Sequence, residues 1–480
     1  MIKSSFLFFS FLRCRMAGMK VGGGDTAHGG KPRLVSPPTG DIRLLLNPIA
    51  IESNSYRMKC GLVKSCFLFF SFLFIGGNLV NAQLYNIVIK GGHVIDPKNN
   101  INSVMDIAIN DGKIALVAAN INAKDAKQVV DAKGFYVTPG LIDIHTHDFY
   151  GNHADQYLMD APSAVSPDGF TFRVGVTTVV DAGSSGWRTF PLFKAQTIDR
   201  SQTRVLAFLN IVGAGMRGGA YEQNIEDMDP NMAAYVAKEY KDYIVGFKVA
   251  HFEPAQWVPV DSAVKAGELT NKPVMIDFGG DDSHPPLSIE ELFFKHLRPG
   301  DIYTHVFTEL KRRDPIVDLT TRKLKPFVLD AQKKGIVFDV GFGGASFDFR
   351  QAIPALKGGL YPNSISTDLH SGSMNAAMKS MLNIMSIFLA MGMDLQSVIT
   401  ASTWNPAVEI KHEELGNLSV GSVADIAVLN LREGKFGFWD RNGYKLKGKQ
   451  RLECEMTIRA GNIVYDLNGI ADPEVIKSAE

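Results

Sequence analysis

Short alternating runs of apolar and polar residues mark both ends of the chain. Near the beginning, residues 85–96 and 106–117 alternate around the turn pairs Gly91-Gly92 and Asp111-Gly112, which is typical of β-hairpins. The same pattern returns near the end, in residues 424–466. We therefore predict that the two ends of the chain, residues 83–135 and 415–468, combine into one small β-sandwich.

Between these ends, apolar strands alternate with segments long enough for helices. This alternation predicts an α/β fold, a (β/α)8 TIM-like barrel over residues 136–414. The eight expected strands are residues 137–146, 176–182, 204–210, 244–250, 273–279, 301–306, 336–341 and 363–368. Polar or small residues gather just beyond most of these strands, at the end where barrels place their functional sites.

The N-terminal part has the features of an export signal. Residues 58–82 begin with Met58-Lys59, continue into a short apolar run and finish with small residues at Ala82. We predict cleavage after Ala82 and an exported protein, periplasmic or secreted, without a membrane anchor, because the apolar run is too short to span a bilayer. Residues 1–57 are interpreted as a non-native or disordered extension preceding a natural start at Met58, and residues 469–480 as a C-terminal tail.

Charge and cysteine content narrow the range of partners. The whole chain has no net charge, but its basic excess lies in residues 1–82 and leaves residues 83–480 at −7. This acidic balance argues against nucleic acid or an anionic membrane as a partner and favours a small molecule, with a homo-oligomer left open. Cys454 is the single cysteine after residue 82, so neither a disulfide framework nor cysteine ligation of a metal is expected.

Two histidines follow the first barrel strand with one residue between them. Side chains at positions i and i+2 of a strand project from the same face, so His145 and His147 can reach one metal ion. Such a pair alone is weak evidence, and its context decides.

Further candidate ligands lie on other barrel strands. Lys248 occupies an almost entirely apolar strand, where a charged amine is costly. Its side chain either extends to solvent at the strand mouth or is a neutral amine that has captured carbon dioxide as a carbamate bridging two metals. His305 and Asp368 each end a strand and singly would be read as structural. Together with the histidine pair they favour a metal centre.

The combination of motifs resembles the amidohydrolase superfamily, most closely its amidohydrolase/deacetylase metallohydrolases, often labelled dihydroorotase-like. The likeness extends over about residues 85–468 and implies a metal-dependent hydrolase on a (β/α)8 barrel. It rests on Gly91-Gly92-x-Val94-Ile95-Asp96-Pro97, the stretch from Val137 to His147, the stretch from Gly175 to Gly183, Lys248, His305, Ser366-Thr367-Asp368 and Asn405-Pro406-Ala407.

The resemblance implies a role for each candidate ligand. His145, His147 and Asp368 would bind a first metal, and a carboxylated Lys248 would bridge to a second metal that His305 also binds. Relatives usually end strand 5 with a histidine, whereas this chain has Asp277, which can ligate through oxygen. One or two Zn²⁺ ions are expected, and another divalent metal is left open.

Two departures from the pattern concern the substrate. Phe342 stands where relatives have a histidine in strand 7, and Ala250 stands where they have an arginine after the strand-4 lysine. His251 and Arg217 are candidate replacements. Arg217 lies in a glycine-rich loop, where it either binds a substrate carboxylate or is a solvated loop residue.

These observations favour hydrolysis of a small amide or acyl ester by metal-activated water, with Asp368 as general base. A cyclic amide hydrolase resembling dihydroorotase is the alternative within the enzyme class. A barrel that binds a metal or ligand without catalysis is the alternative outside it.

Overall fold

The computed structural model describes residues 84–151, 163–277 and 285–471. The predicted export signal, residues 58–82, and the preceding extension lie outside the described residues, as does most of the C-terminal tail. Among the helices that are described, none has the length and apolar character that crossing a bilayer requires.

The secondary structure alternates as the sequence predicts. The strands are β1 (Tyr85–Asp96), β2 (Ile101–Asn110), β3 (Lys113–Ala118), β4 (Ala126–Asp131), β5 (Tyr136–Pro139), β6 (Leu141–Thr146), β7 (Val176–Gly186), β8 (Arg204–Asn210), β9 (Ile244–Ala250), β10 (Val274–Asp277), β11 (Ile302–Tyr303), β12 (Val337–Phe338), β13 (Ile426–Trp439), β14 (Lys445–Arg459) and β15 (Asn462–Asp466). The α-helices are α1 (Phe190–Gln196), α2 (Pro230–Glu239), α3 (Val258–Thr270), α4 (Ile289–Glu291), α5 (Pro326–Lys334), α6 (Phe349–Lys357), α7 (Ser371–Met374), α8 (Met381–Ala390), α9 (Leu395–Thr400) and α10 (Trp404–Glu409).

A curled, parallel seven-stranded sheet forms the centre of the fold, in the order β12-β11-β10-β9-β8-β7-β6. The eighth expected strand, residues 363–368, is not a regular strand. Ser364 makes a single parallel bridge to Asp339, and Leu369 makes one to Thr146. The backbone N–H of Thr367 donates to the Asp143 side chain at 3.0 Å, so a carboxylate takes a bond that a strand ladder would use.

Strands from the two ends of the chain belong to a second sheet, separate from the parallel one. Hydrogen bonds join its eight strands in the order β15-β14-β13-β5-β1-β2-β3, with β4 also on β1. The register of β1 shifts between Ile89 and Gly92, and the strand pairs with β4 before this point and with β5 after it.

The predicted strand 137–146 is in fact two strands in different sheets. Residues up to Pro139 pair with β13 of the mixed sheet, whereas Leu141 onwards pair with β7 of the parallel sheet. Gly140 lies between them, and a Cβ atom there would collide with the Thr177 side chain. Because proline lacks an N–H and glycine permits the close approach, the chain changes sheets here.

The hairpin β13–β14 reaches loops at the ligand end of the parallel sheet. Arg441 in its turn donates from Nη1 to the carbonyl of Ala345 at 2.8 Å and from Nε to Asp348 Oδ1 at 3.2 Å. Asp348 Oδ2 accepts from the backbone N–H of Glu309 at 2.7 Å. The hairpin turn therefore connects two loops that follow β11 and β12.

Candidate metal centre

His145 is completely buried at the end of β6, with one ring nitrogen held by a hydroxyl group. Its Nδ1 lies 3.0 Å from Thr304 Oγ1, and that hydroxyl donates to Asp339 Oδ2 at 2.6 Å. Because the Thr304 proton points to the carboxylate, its oxygen accepts from His145 Nδ1–H. The lone pair of His145 is then at Nε2, where it can bind a metal.

His305 is also held through its Nδ1 atom, in this case by a backbone carbonyl. Its Nδ1 is hydrogen-bonded to the carbonyl of Gly341, which can only accept, so Nδ1 carries the proton. Burial lowers the pKa of His305 below its ordinary value. The neutral ring therefore presents a lone pair at Nε2, the form in which histidine binds metals.

Three side chains converge on a first metal position. Asp368 Oδ1 lies 3.0 Å from His147 Nε2 and 3.7 Å from His145 Nε2, and the three ligand atoms are within 4.8 Å of one another. His147 Nδ1 is 3.0 Å from Ser184 Oγ. Two nitrogens and one carboxylate oxygen, with further room on the cavity side, fit a catalytic zinc site that keeps an open coordination position.

Asp368 is anionic at neutral pH. Burial raises the pKa of its carboxyl, but the hydrogen bond with His147 outweighs this effect and holds the pKa well below its usual range. A deprotonated carboxylate at this position can ligate a metal or accept a proton.

A second ligand group adjoins the first and shares His145 with it. His145, Asp277 and His305 also have ligand atoms within 4.8 Å of one another. Asp277 Oδ2 is 3.2 Å from His305 Nε2, and its other oxygen forms an ion pair with Arg313 Nη2. This pairing of Asp277 was not foreseen from the sequence.

Lys248 lies beneath both groups with no exposed side-chain surface, so it does not extend to solvent. Its Nζ is 3.1 Å from His145 Nε2 and 3.8 Å from Asp277 Oδ2. Burial lowers the pKa of this amine to about 7. A substantial fraction of the Lys248 amine is therefore neutral at physiological pH. The neutral amine is the form that reacts with carbon dioxide.

The backbone around the ligands is unusually constrained. Both His305 and Asp368 adopt left-handed backbone angles, with φ of 56° and 52°, which side-chain-bearing residues seldom use. A Cβ atom at Gly183 would lie 2.6 Å from Lys248 Cγ, so only glycine leaves space for the lysine. The left-handed backbone conformations of His305 and Asp368 orient their side chains toward the candidate metal centre, and they add some strain to the backbone.

The ligands border a cavity of about 290 Å³. His147, Asp277, His305 and Asp368 contribute to its wall. The remaining polar side chains of its lining are Glu222, Gln223, His251, Glu253, Arg312, Arg313, Ser346 and His370. The six predicted metal-site residues are thus brought together, four on the cavity wall and two, His145 and Lys248, directly behind it.

The three candidate substrate residues have different positions. His251 lines the cavity and its Nδ1 lies 3.0 Å from Glu222 Oε2. Arg217 packs over the ring of Tyr221 at 3.9 Å, next to Gly218 of the lining. Phe342 stacks on Phe347, with 4.3 Å between ring centroids, inside the hydrophobic core. Its burial there indicates a packing role.

Sequence reasoning did not identify Glu222 or Arg313 as part of the site. Glu222 is buried and accepts a hydrogen bond from the backbone of Gly218 at 2.6 Å, in the glycine-rich loop that drew attention to Arg217. The glycine-rich loop could therefore have pointed to Glu222 from the sequence alone. Arg313 follows two other basic residues in a polar loop, and no local pattern distinguishes it from a solvated residue.

Comparison with known proteins agrees with the geometry. No family model matched the sequence. A deacetylase of Agrobacterium fabrum is 33% identical over 369 residues, which cover 74% of this chain and 86% of the relative. A crystal structure of an adenine deaminase superposes with a TM-score of 0.72 at 28% identity, covering 80% of this chain and all of that one. A crystal structure of a dihydroorotase gives a TM-score of 0.68 at 29% identity, covering 79% and 99%.

Both the extent of these similarities and the grouped ligands point to the same conclusion. The similarities extend over 74% to 80% of the chain. The chain belongs to the amidohydrolase superfamily and is a hydrolase that acts on carbon–nitrogen bonds other than peptide bonds.

Proposed function

We propose that this protein is an exported, metal-dependent hydrolase that removes an acyl group from a small amide or acyl ester, with Asp368 as general base. The convergence of His145, His147 and Asp368 on one cavity is the observation that carries the proposal. Similarity to a deacetylase over 369 residues supports the substrate class. The cavity volume of about 290 Å³ suits a small molecule.

The residues of the cavity have different roles in the proposed reaction. A divalent metal held by His145, His147 and Asp368 would supply Lewis acidity, which activates water and polarises the substrate carbonyl. The Asp368 carboxylate accepts the proton of the attacking water at its oxygen and returns that proton to the leaving group. Ser184 and Thr304, through the Nδ1 atoms of the two histidines, keep the rings oriented.

We propose in addition that Lys248 is carboxylated. Its neutral amine nitrogen bonds the carbon of carbon dioxide and loses one proton, which gives an N-carboxylate with one negative charge. Burial of the side chain and the lowered pKa support this step, and the added oxygens would serve as ligands between the two groups. Zn²⁺ is the proposed metal because histidine and carboxylate ligands suit it.

A cyclic amide is the second candidate substrate. The structural similarity to a dihydroorotase favours it, since the ring of such a substrate is opened by cleavage of the same type of bond. The export signal expected in residues 58–82 argues against a role in pyrimidine synthesis, and we therefore prefer an acyl amide or ester.

The test is a comparison of Asp368→Asn with wild type against a panel of N-acyl, O-acyl and cyclic amide compounds. Loss of general acid–base catalysis is expected to lower kcat by at least about a hundredfold on whichever compound wild type hydrolyses. Asp330→Asn, on the exposed surface of α5, is the matched control and should behave as wild type.

Circular dichroism and metal content of each preparation complete the experiment. Retention of full activity by folded Asp368→Asn would refute the mechanism. A wild-type protein that contains metal but hydrolyses nothing in the panel would favour the non-catalytic, ligand-binding barrel.

A further inference from the structure

We infer that Arg313 is a positioning residue that holds Asp277 as a ligand for a second metal ion. The inference rests on the proposed function only in that the centre binds metal. It concerns the ligand group of His145, Asp277 and His305, beside the group that would hold the first ion.

The two carboxylate oxygens of Asp277 have separate partners. Oδ1 forms an ion pair with Arg313 Nη2, while Oδ2 faces His305 Nε2 at 3.2 Å and Lys248 Nζ at 3.8 Å. Since the guanidinium takes one oxygen, the carboxylate cannot rotate without breaking a buried ion pair. The other oxygen is thereby directed at the ligand nitrogen.

Asp277 Oδ2 and His305 Nε2 lie close enough together to bind one ion. The two atoms are 3.2 Å apart, and the ligand atoms of His145, Asp277 and His305 all lie within 4.8 Å of one another. The hydrogen bond between His305 Nδ1 and the Gly341 carbonyl orients the ring with Nε2 toward Asp277.

Arg313 also balances the charge of the site. An aspartate adds one negative charge that a neutral ligand would not bring, and the guanidinium cancels it. Both side chains are nearly inaccessible, with 9% of Arg313 and 8% of Asp277 exposed. Among the described residues, Arg313 Nη1 has no hydrogen-bond partner, and Asp277 is the carboxylate that pairs with Nη2.

Hydrogen bonds within its loop hold the backbone of Arg313 in place. Its backbone N–H donates to the carbonyl of Leu310 at 3.0 Å, and neighbouring Glu309 is held by Asp348. The adjacent Arg312 also lines the cavity but is exposed, which makes it a natural control.

The experiment measures zinc content and the dissociation constant of each ion for wild type, Arg313→Lys and Arg312→Lys, by elemental analysis and competition with a chromophoric chelator in bicarbonate buffer. We expect two ions in wild type. Arg313→Lys keeps the charge but loses the planar donor geometry, so the second ion should bind ten- to hundredfold more weakly while the first is retained. Arg312→Lys should match wild type.

Retention of the first ion shows that Arg313→Lys is folded. A second variant, Asp277→His combined with Arg313→Gln, is expected to recover the second ion, because a neutral imidazole needs no cationic partner. One ion in wild type, unchanged affinity in Arg313→Lys, or an equal loss in Arg312→Lys would each overturn the inference. Hydrolysis is not the readout, so two ions in a protein without activity would refute the proposed function and leave this inference standing.

Discussion

Asp339 lies beneath the candidate metal centre and collects hydrogen bonds from three hydroxyl groups. Thr304, Ser364 and Ser366 donate to it at 2.6 to 2.9 Å. Because each donor is buried, this carboxylate fixes their orientations and, through Thr304, the tautomer of His145. The ring nitrogen of His145 that carries the proton is therefore determined by Asp339, which acts through Thr304.

Thr304→Val tests this control of the tautomer. Valine has nearly the same shape but cannot accept from His145 Nδ1, so the affinity for the first metal ion should fall about ten- to hundredfold. Thr308→Val is the matched control, since Thr308 is also buried and its Oγ1 has no hydrogen-bond partner among the described residues. Chelator competition measures both. Equal affinities in the two variants would show that the Thr304 contact does not matter.

Single residues differ in how far sequence alone reveals them. His145 and His147 lie at the end of β6, and Asp368 ends a stretch whose sequence pattern resembles a strand. Because strand ends of a parallel sheet meet at one edge, their convergence could be predicted even though residues 363–368 do not form a regular strand. Arg313 and Thr304 act through partners far away in the chain, at Asp277 and His145. No local pattern carries that information.

At the scale of elements, the hairpin β13–β14 supports the cavity wall from a distance. Its turn residue Arg441 binds the loop containing Ser346 through Ala345 and Asp348, and Asp348 in turn holds Glu309. The two loops supply Ser346, Arg312 and Arg313 to the cavity. An element of the mixed sheet therefore shapes a site that lies on the parallel sheet.

Arg441→Ala should therefore impair substrate binding more than chemistry. The loops lose their common anchor while Asp368 and the histidines stay in place, so we expect KM to rise about tenfold with kcat changed much less. Arg432→Ala, on the same hairpin and paired with Glu453 at the surface, should have unchanged kinetics. Steady-state kinetics decide between them. A lowered melting temperature with unaltered KM in Arg441→Ala would show that the Arg441 contact stabilises the fold but does not affect substrate binding.

The prediction of strand bounds was most accurate for two strands in the middle of the parallel sheet. Strands 204–210 and 244–250 have the bounds expected from sequence, whereas the later strands β11 and β12 are only two residues long. In β12 the backbone N–H of Phe338 donates to the Asn363 side chain at 3.0 Å rather than to a neighbouring strand. Side-chain capture of this kind follows from tertiary contacts and is invisible to periodicity.

For the whole molecule, the export signal expected in residues 58–82 precedes β1, which begins at Tyr85. Cleavage after Ala82 would leave every described strand intact. We predict that the chain recovered from outside the cytoplasm begins at Gln83. Mass spectrometry of the intact protein checks this directly, with Ala82→Asp as a cleavage-deficient control. A recovered protein that still contains residues 58–82 would contradict the prediction.

The change of sheets at Pro139-Gly140 has a consequence for the order of assembly. The strand that leads into His145 pairs with β1, made early, and with β13, whose residues 426–429 pair with 136–139 and are made late. This strand therefore has both of its partners only after synthesis of nearly the whole chain. An exported chain, as proposed above, would remain without the full support of its metal centre until late in its synthesis.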